Sequence, residues 1–219
     1  MILAHWHRLK QAQIPPVVSE DIEFVTSAGY STTDGSTHTL TGLQSGDFVL
    51  LQQTADAGDP TLLTGWTNID LCSASIDVRW SYQFSTGTSV SFTADDRESA
   101  VMAAFRNVNA TTPFDVTPTS NFAVGTTTSK TPSSITTVTD GCMIVVGIGI
   151  DDVDETSATI STGYTTATSV FGGNTTNSNG ATTIVIYKTQ TSSGTESPSA
   201  ISWSNTESSA TETIALRPA

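Results

Sequence analysis

The chain has 219 residues, with 8 Lys+Arg against 21 Asp+Glu, a formal net charge of -13 and 37% hydrophobic residues. That length suits one large domain, the acidity argues against the basic stripe that nucleic-acid binding needs, and no apolar run reaches the ~18 residues of a membrane-spanning helix. Solubility comes instead from 40 Thr and 28 Ser; Thr is branched at Cβ and fits a half-buried pleated surface, so the expectation is an all-β protein.

Residues 1–16, MILAHWHRLKQAQIPP, differ from the rest. They hold Arg8 and Lys10 and no acid, whereas all 21 acids lie from Glu20 onward. Ile2, Leu3, Trp6 and Leu9 supply an apolar face, and Pro15-Pro16 stops any helix. A Trp between two histidines in a short basic segment is poorly explained as a solvated tail. The segment therefore reads as an anchoring arm (1–16) on a single β domain (17–219), with Ile2, Leu3, Trp6, Arg8 and Leu9 as its docking residues. Met1–Ala4 is too short for the apolar stretch of a signal peptide, which predicts synthesis in a cytoplasm without ordinary secretion.

From Val17 onward short strands alternate with turn residues. Strands are predicted over Asp21–Thr26, Thr37–Thr41, Gly46–Gln52 and Trp66–Leu71. In Asp77–Phe84 alternation is strict: Val78, Trp80, Tyr82 and Phe84 share one face. Ser85–Thr88 reads as a hairpin loop into Ser89–Phe92. Ala100–Val108 is predicted as a strand although its alanines also permit a helix. Asn109–Lys130 is a long polar excursion, of the kind that is functional or packs on itself. Ser134–Val138 and Cys142–Ile150 read as a hairpin around Thr139-Asp140-Gly141, the second strand apolar on both faces and so central to a sheet. Ala158–Ser161, Tyr164–Phe171, Thr182–Gln190, Ala200–Ser204 and Thr211–Leu216 complete the series. This spacing predicts an antiparallel two-sheet, jelly-roll-like sandwich with no clear internal repeat.

Few residues point to chemistry. Asp151-Asp152-Val153-Asp154-Glu155 lacks the EF-hand pattern and reads as a solvated loop tip. Asp95-Asp96-Arg97-Glu98 is a turn, not a pair of carboxylates facing each other across a cleft. His5 and His7 lack a third ligand nearby and His38 is isolated, so no metal is expected, nor any cofactor. No nucleophile motif or phosphate loop occurs. Cys72 and Cys142 lie in apolar strand surroundings and read as buried free thiols, with a disulfide as the other reading. Trp80 and Tyr82 read as core, while Tyr30, Phe114, Phe122 and Tyr164 are the aromatics freer to bind a sugar.

Read in order, Gly46-Asp47-Phe48-Val49, Gly65-Trp66, Val78-Arg79-Trp80, Ala104-Phe105-Arg106-Asn107-Val108, Thr111-Thr112-Pro113-Phe114-Asp115, Pro132–Thr137 and Asp140–Val146 form a pattern. It resembles the lectin-like β-sandwich domains of tailed-bacteriophage virion proteins, where an (F/Y)RGV…TTP.D segment leads to a PS(V/I)TT…DGAL(V/I)V hairpin. This chain departs from the pattern at Asn107, where Gly is usual, and at Cys142-Met143. The resemblance covers roughly residues 40–150 and implies a non-enzymatic virion structural or accessory protein, such as a capsid decoration, head spike or knob, or tail appendage. It would be docked to other capsid or tail proteins, with host-surface glycan as a further partner, without membrane insertion and as a homo-oligomer, trimer favoured. The rival expectations are a carbohydrate-binding or host-receptor-binding module, and a glycan hydrolase with two facing carboxylates.

Overall fold

The computed structural model describes residues 20–31, 35–55, 58–74, 76–94, 98–122, 125–151, 155–173 and 180–219. Its strands in the first half of the chain are β1 (Glu23–Ser31), β2 (Thr37–Thr41), β3 (Phe48–Ala55), β4 (Thr67–Ser73), β5 (Asp77–Phe84), β6 (Ser89–Thr93) and β7 (Glu98–Arg106). The second half supplies β8 (Thr119–Asn121), β9 (Thr127–Lys130), β10 (Ile135–Thr136), β11 (Cys142–Ile150), β12 (Ala158–Thr159), β13 (Thr165–Gly173), β14 (Ala181–Gln190), β15 (Thr195–Glu196), β16 (Ile201–Glu207) and β17 (Ser209–Leu216). Two five-stranded antiparallel sheets result, in the orders β1-β7-β3-β5-β4 and β13-β14-β11-β17-β8.

Alternation along the strands decides what each sheet covers. Phe48, Leu50, Val101, Ala103 and Phe105 of the first sheet meet Met143, Val145, Val185, Ile214 and Leu216 of the second. The opposite faces are also dry. Val49, Leu51, Ala100, Met102 and Ala104 pack under Leu40, Val90 and Phe92 of the β2–β6 pair and under Trp66. Ile144, Val146, Ile148, Ile184 and Ile186 pack under Ile201 and Trp203 of β16, Tyr164 and Ile135. The molecule is thus four β layers deep. Strands β3, β11 and β17 are buried along their whole length, as strands covered on both faces must be.

The two halves of the chain have the same topology. Reading β8, β9, β11, β13, β14, β16 and β17 as counterparts of β1 to β7 turns the first sheet order into the second, and the outer pair β2–β6 into β9–β16. Register agrees as well. Phe48 faces Phe84 and Phe105 across the first sheet, and Met143 faces Thr189 and Leu216 across the second. Thr67 pairs with Tyr82, and Thr165 with Tyr187; a bulge follows at Asn68/Asp70 in one half and at Thr166/Thr168 in the other. Both bulged strands begin from a Thr-Gly-aromatic-Thr turn, Thr64-Gly65-Trp66-Thr67 and Thr162-Gly163-Tyr164-Thr165. Its glycine takes φ 87° or 84°, a left-handed conformation that glycine adopts without strain. The edge β1 lies over β13, while Ile69 of β4 and Phe122 just beyond β8 pack against one shared cluster, as an approximate two-fold axis between the sheets requires. The expected absence of an internal repeat is corrected: the sandwich is two copies of one seven-stranded unit, face to face.

The all-β antiparallel sandwich is as the sequence predicts, and the strand expected over Ala100–Val108 forms as β7, ending at Arg106. Since each half of the chain builds its own sheet, the strand order does not by itself make the fold a jelly roll. Two expected hairpins do not form. β6 leaves β5 to pair with β2 in the outer layer, and β10 pairs with β15 instead of β11. Both segments are drawn away because they serve as lids on outer faces.

The residues that carry the phage resemblance brace one end of the sandwich. Asp47, only 1% exposed, receives both Arg106 Nε and Nη2 at 2.9 and 3.0 Å. Asn107 stands at φ 63°, the conformation that explains a glycine at this place, and its amide Nδ2 donates to Asp21 O. Asn109 Oδ1 accepts from Thr111 N and Thr112 N, and Asp115 accepts from Val138 N and Thr139 N. These caps hold the first part of the expected Asn109–Lys130 excursion, whose later part is not a loop packed on itself: Thr119–Asn121 and Thr127–Lys130 are β8 and β9, paired with β17 and β16. Two stability outcomes follow in urea unfolding. Asn107→Gly stays close to the parent, whereas Asn107→Val loses about 1–2 kcal/mol, the cost of a left-handed β-branched residue. Gly147→Ala costs about 1–3 kcal/mol by overpacking, because its Cβ would strike Gln52 Oε1 and Trp80 Nε1 of the facing sheet.

Candidate functional site

The predicted docking residues Ile2, Leu3, Trp6, Arg8 and Leu9 lie outside the described residues, as do His5, His7, Asp95, Asp96, Arg97, Asp152, Val153 and Asp154. The other motif residues are placed. His38 packs between Tyr30 and Phe92, ring centroids at 4.6 and 5.3 Å, and burial lowers its pKa. Cys72 and Cys142 are separate buried thiols, pushed up by burial to about 11 and about 12, so neither is a reactive thiolate. The aromatics expected to be free are engaged. Phe122 stacks on Trp80 at 5.7 Å, Phe114 packs edge-on against Phe48 and Tyr82, and Tyr164 OH donates to Glu196, itself paired with Lys188.

Glu155 itself, the last residue of the acidic segment, corrects the expectation of a solvated position. It is 1% exposed, and its carboxylate accepts from the backbone N–H groups of Thr156, Ser157, Ser204 and Asn205 and from Ser204 Oγ. Burial alone would raise its pKa, but these bonds outweigh it and hold the group below the ordinary carboxylate range. It ties the 155–157 turn to β16.

The opposite case is Glu212, 1% exposed on the face of β17 that meets the first sheet. Its counterpart in the first half is Val101, so the duplication is broken here by a carboxyl. Asp70 of β4 acts on it from the first sheet, Gly147 of β11 is its cross-strand partner, and Gln52 of β3 and Trp80 of β5 lie over that glycine. Glu212 Oε2, both amide atoms of Gln52 and Trp80 Nε1 are buried with no hydrogen-bond partner among the described residues. Burial, with the charge and hydrogen bond of Asp70, pushes Glu212 up to about 8, so it is protonated at neutral pH.

Three clefts open on the outer layers. Two flank β12. One, of about 220 Å³, is lined by Thr156, Ser157, Ala158, Ile160, Thr166, Ser169, Phe171 and Ile184. The other, also about 220 Å³, is bounded by Ser157–Thr159 and Ser202–Ser204. The third, of about 260 Å³, lies along β6 and is lined by Leu63, Thr64, Trp66, Ser91, Phe92 and Thr93. Among the described residues, no ionisable side chain lines any of the three. Their walls offer hydroxyls, apolar surface and strand edges, which suit recognition and not proton transfer.

The third cleft differs from its counterpart in one respect. In the second half, β12 pairs with β16, Ala158 to Trp203 and Thr159 to Ser202. In the first half, the matching positions Phe92 and Ser91 of β6 pair with β2 on one side and have no strand on the other among the described residues. The segment that would take that place contains Pro60, which lacks the N–H a ladder needs. It is held elsewhere, Pro60 O accepting from Arg79 Nε and Gly58 N donating to Asp77. Leu63, Trp66 and Phe92 escaped sequence reasoning as a site; the repeated Thr-Gly-aromatic-Thr tetrapeptide was the available signal.

Comparison with protein-family models, curated proteins and solved structures gives no match.

The two buried glutamates set opposite limbs of a pH profile. Glu212 has a folded pKa near 8 against an ordinary 4.5, so its contribution is complete below about pH 4.5 and is lost as pH rises toward 8. Glu155, depressed on folding, contributes above the ordinary range, and that contribution is lost as pH falls through its folded value. Thermal melts from pH 3 to 9 are expected to show Glu212→Gln raising Tm over the parent at pH 8 with little change at pH 4. Glu155→Gln is expected to lower Tm at pH 7 and flatten the acid limb.

Proposed function

We propose that the chain is a non-enzymatic structural protein of a tailed-phage particle, a capsid decoration, head spike or tail appendage, docked through residues 1–16 and displaying its sandwich outward. The observation that carries this reading is the use to which the phage-like residues are put. Asp47, Arg106, Asn107, Asn109 and Asp115 are engaged in bracing one end of the fold, and their hydrogen bonds go to the protein's own backbone and side chains. The hydroxyl-rich composition, the net charge of -13 and outer clefts with no ionisable lining among the described residues favour a display module over a hydrolase. A glycan-binding module would be favoured by aromatic rings standing free at one loop end. Trp66, Trp80 and Trp203 are instead 7%, 0% and 7% exposed.

A basic arm on an acidic body is suited to holding a small module on a particle, and several arms in a homo-oligomer, a trimer in this reading, add avidity. Host-surface glycan would then be met by the outer layers. Deletion of residues 1–16 is expected to leave a folded, soluble sandwich that no longer co-purifies with particles; normal incorporation of the truncated chain would overturn the arm's role. Absence of the full chain from purified particles would overturn the virion reading itself.

A further inference from the structure

We infer that the open edge of β6 is a strand-docking site, and that its occupant is the 1–16 segment of a second copy of this chain. The inference rests on the reading of residues 1–16 as a docking arm and names where the arm goes. The fold contains its own precedent. In the second half, the equivalent edge of β16 is covered by β12, laid antiparallel beside Ser202 and Trp203. In the first half the equivalent place beside Ser91 and Phe92 is a cleft of about 260 Å³ with Leu63, Trp66 and Phe92 for its apolar wall. Leu62 next to it is 40% exposed, one of two large hydrophobics that stand open among the described residues. An exposed strand edge beside an apolar cleft is the arrangement that adds an extended peptide, with main-chain bonds for affinity and alternate side chains for specificity.

The arm fits that description. In an extended segment Ile2, Ala4 and Trp6 fall on one face, with Leu3, His5 and His7 on the other. The apolar set would enter the cleft while the backbone pairs with β6. Arg8 and Lys10, with no acid among residues 1–16, oppose a body carrying all 21 acids. The 19 residues before Glu20 span roughly 60 Å when extended. A second copy is the better donor. The chain enters at β1, one lateral edge of the first sheet, and the cleft lies by the start of β4, the other edge. Its own arm would have to cross an outer face already covered by β2 and β6. An arm passed from copy to copy is a head-to-tail contact, which closes into a ring when the rotation between copies divides a full turn, and three copies would then make the trimer proposed above.

The test is cross-linking in mixtures of full-length chains. Chains carrying Leu3→Cys, His5→Cys or His7→Cys are each mixed with chains carrying Ser91→Cys and treated with a short bismaleimide; Cys72 and Cys142 are buried. The expected result is a covalent species joining position 91 of one copy to the arm of another, strongest at one arm position, and loss of the oligomer in sedimentation when residues 1–16 are removed. In a parallel sample each arm cysteine is combined with Ser91→Cys in one chain; cross-links within that chain but none between the mixed single-cysteine chains would overturn the second copy as occupant. No cross-link at any of the three positions would overturn the site. Particle incorporation separates this inference from the one it rests on. An arm deletion that abolishes incorporation without any cross-link at Ser91 leaves the virion reading and removes the β6 site; cross-linked oligomers absent from particles do the reverse.

Discussion

A strand dry on both faces has no alternating code to hold it in place, and it needs a cover on each side. That constraint governs this molecule. β3 and β11 run through the middle of their sheets and are buried at every position, so each sheet must be closed twice. One closure is shared, the two sheets against each other. The other is made locally by short outer strands, β2 and β6 on one side, β9, β12 and β16 on the other. A chain of 219 residues with 37% hydrophobic content has few apolar side chains to spend on surfaces. Its outer layers are therefore Thr and Ser on the wet side and Leu, Val, Ile, Phe and Trp beneath, as in the exposed Thr39 and Ser91, whose hydroxyls meet at 2.7 Å between buried Leu40, Val90 and Phe92.

The duplication explains both the regularity and the exceptions. Equivalent positions keep their roles where packing alone is at stake: Tyr82 and Tyr187, Phe92 and Trp203, and Trp66 and Tyr164 at the mouth of the same turn. They part where the halves meet. Gln52 faces Gly147, its own counterpart, and the amide fills the room that the missing side chain leaves. Beside it Glu212 stands where the first half has Val101. At the other end Thr183 Oγ1 reaches Thr54 Oγ1 and Ser99 O, again polar groups closing a sheet-to-sheet gap, over a Gly149 whose Cβ would come within 2.6 Å of Val78. Polar pairs of this kind fix one alignment of the two sheets, which apolar surfaces alone specify weakly.

Much of this was legible in the residues. Strict alternation in Asp77–Phe84 gave the correct inward face, and the unbroken apolar run of Cys142–Ile150 gave a central strand with the correct bounds. Partners were harder to read. Ser89–Thr93 alternates as well as any hairpin strand, but alternation is silent on whether the inward face belongs to a main sheet or a lid. The repeat was hidden because it is written in register and turn geometry: across β6–β7 and β16–β17 the identities are little more than Ser91/Ser202, Ala104/Ala215 and Arg106/Arg217. Glu155 looked solvated because its neighbours in sequence are acids, whereas its partners, Ser204 and Asn205, are about fifty residues away. The β6 edge was invisible because an open edge is defined by a strand that is not there.

The division of the chain by halves also bears on synthesis. Every strand of the first sheet and its lid is complete by Arg106, before any strand of the second sheet has left the ribosome. The nascent first half can form its hydrogen-bonded sheet and close its outer face, yet the face bearing Phe48, Leu50, Val101 and Phe105 stays wet until the second half arrives. For that interval the emerging polypeptide presents a broad sticky plane whose natural complement is a near-copy of itself. On a polysome, the neighbouring nascent chain displays that same plane. The acidic, hydroxyl-coated exterior does nothing to shield it, so the interval between the two halves is where chaperone attention or mispairing would concentrate.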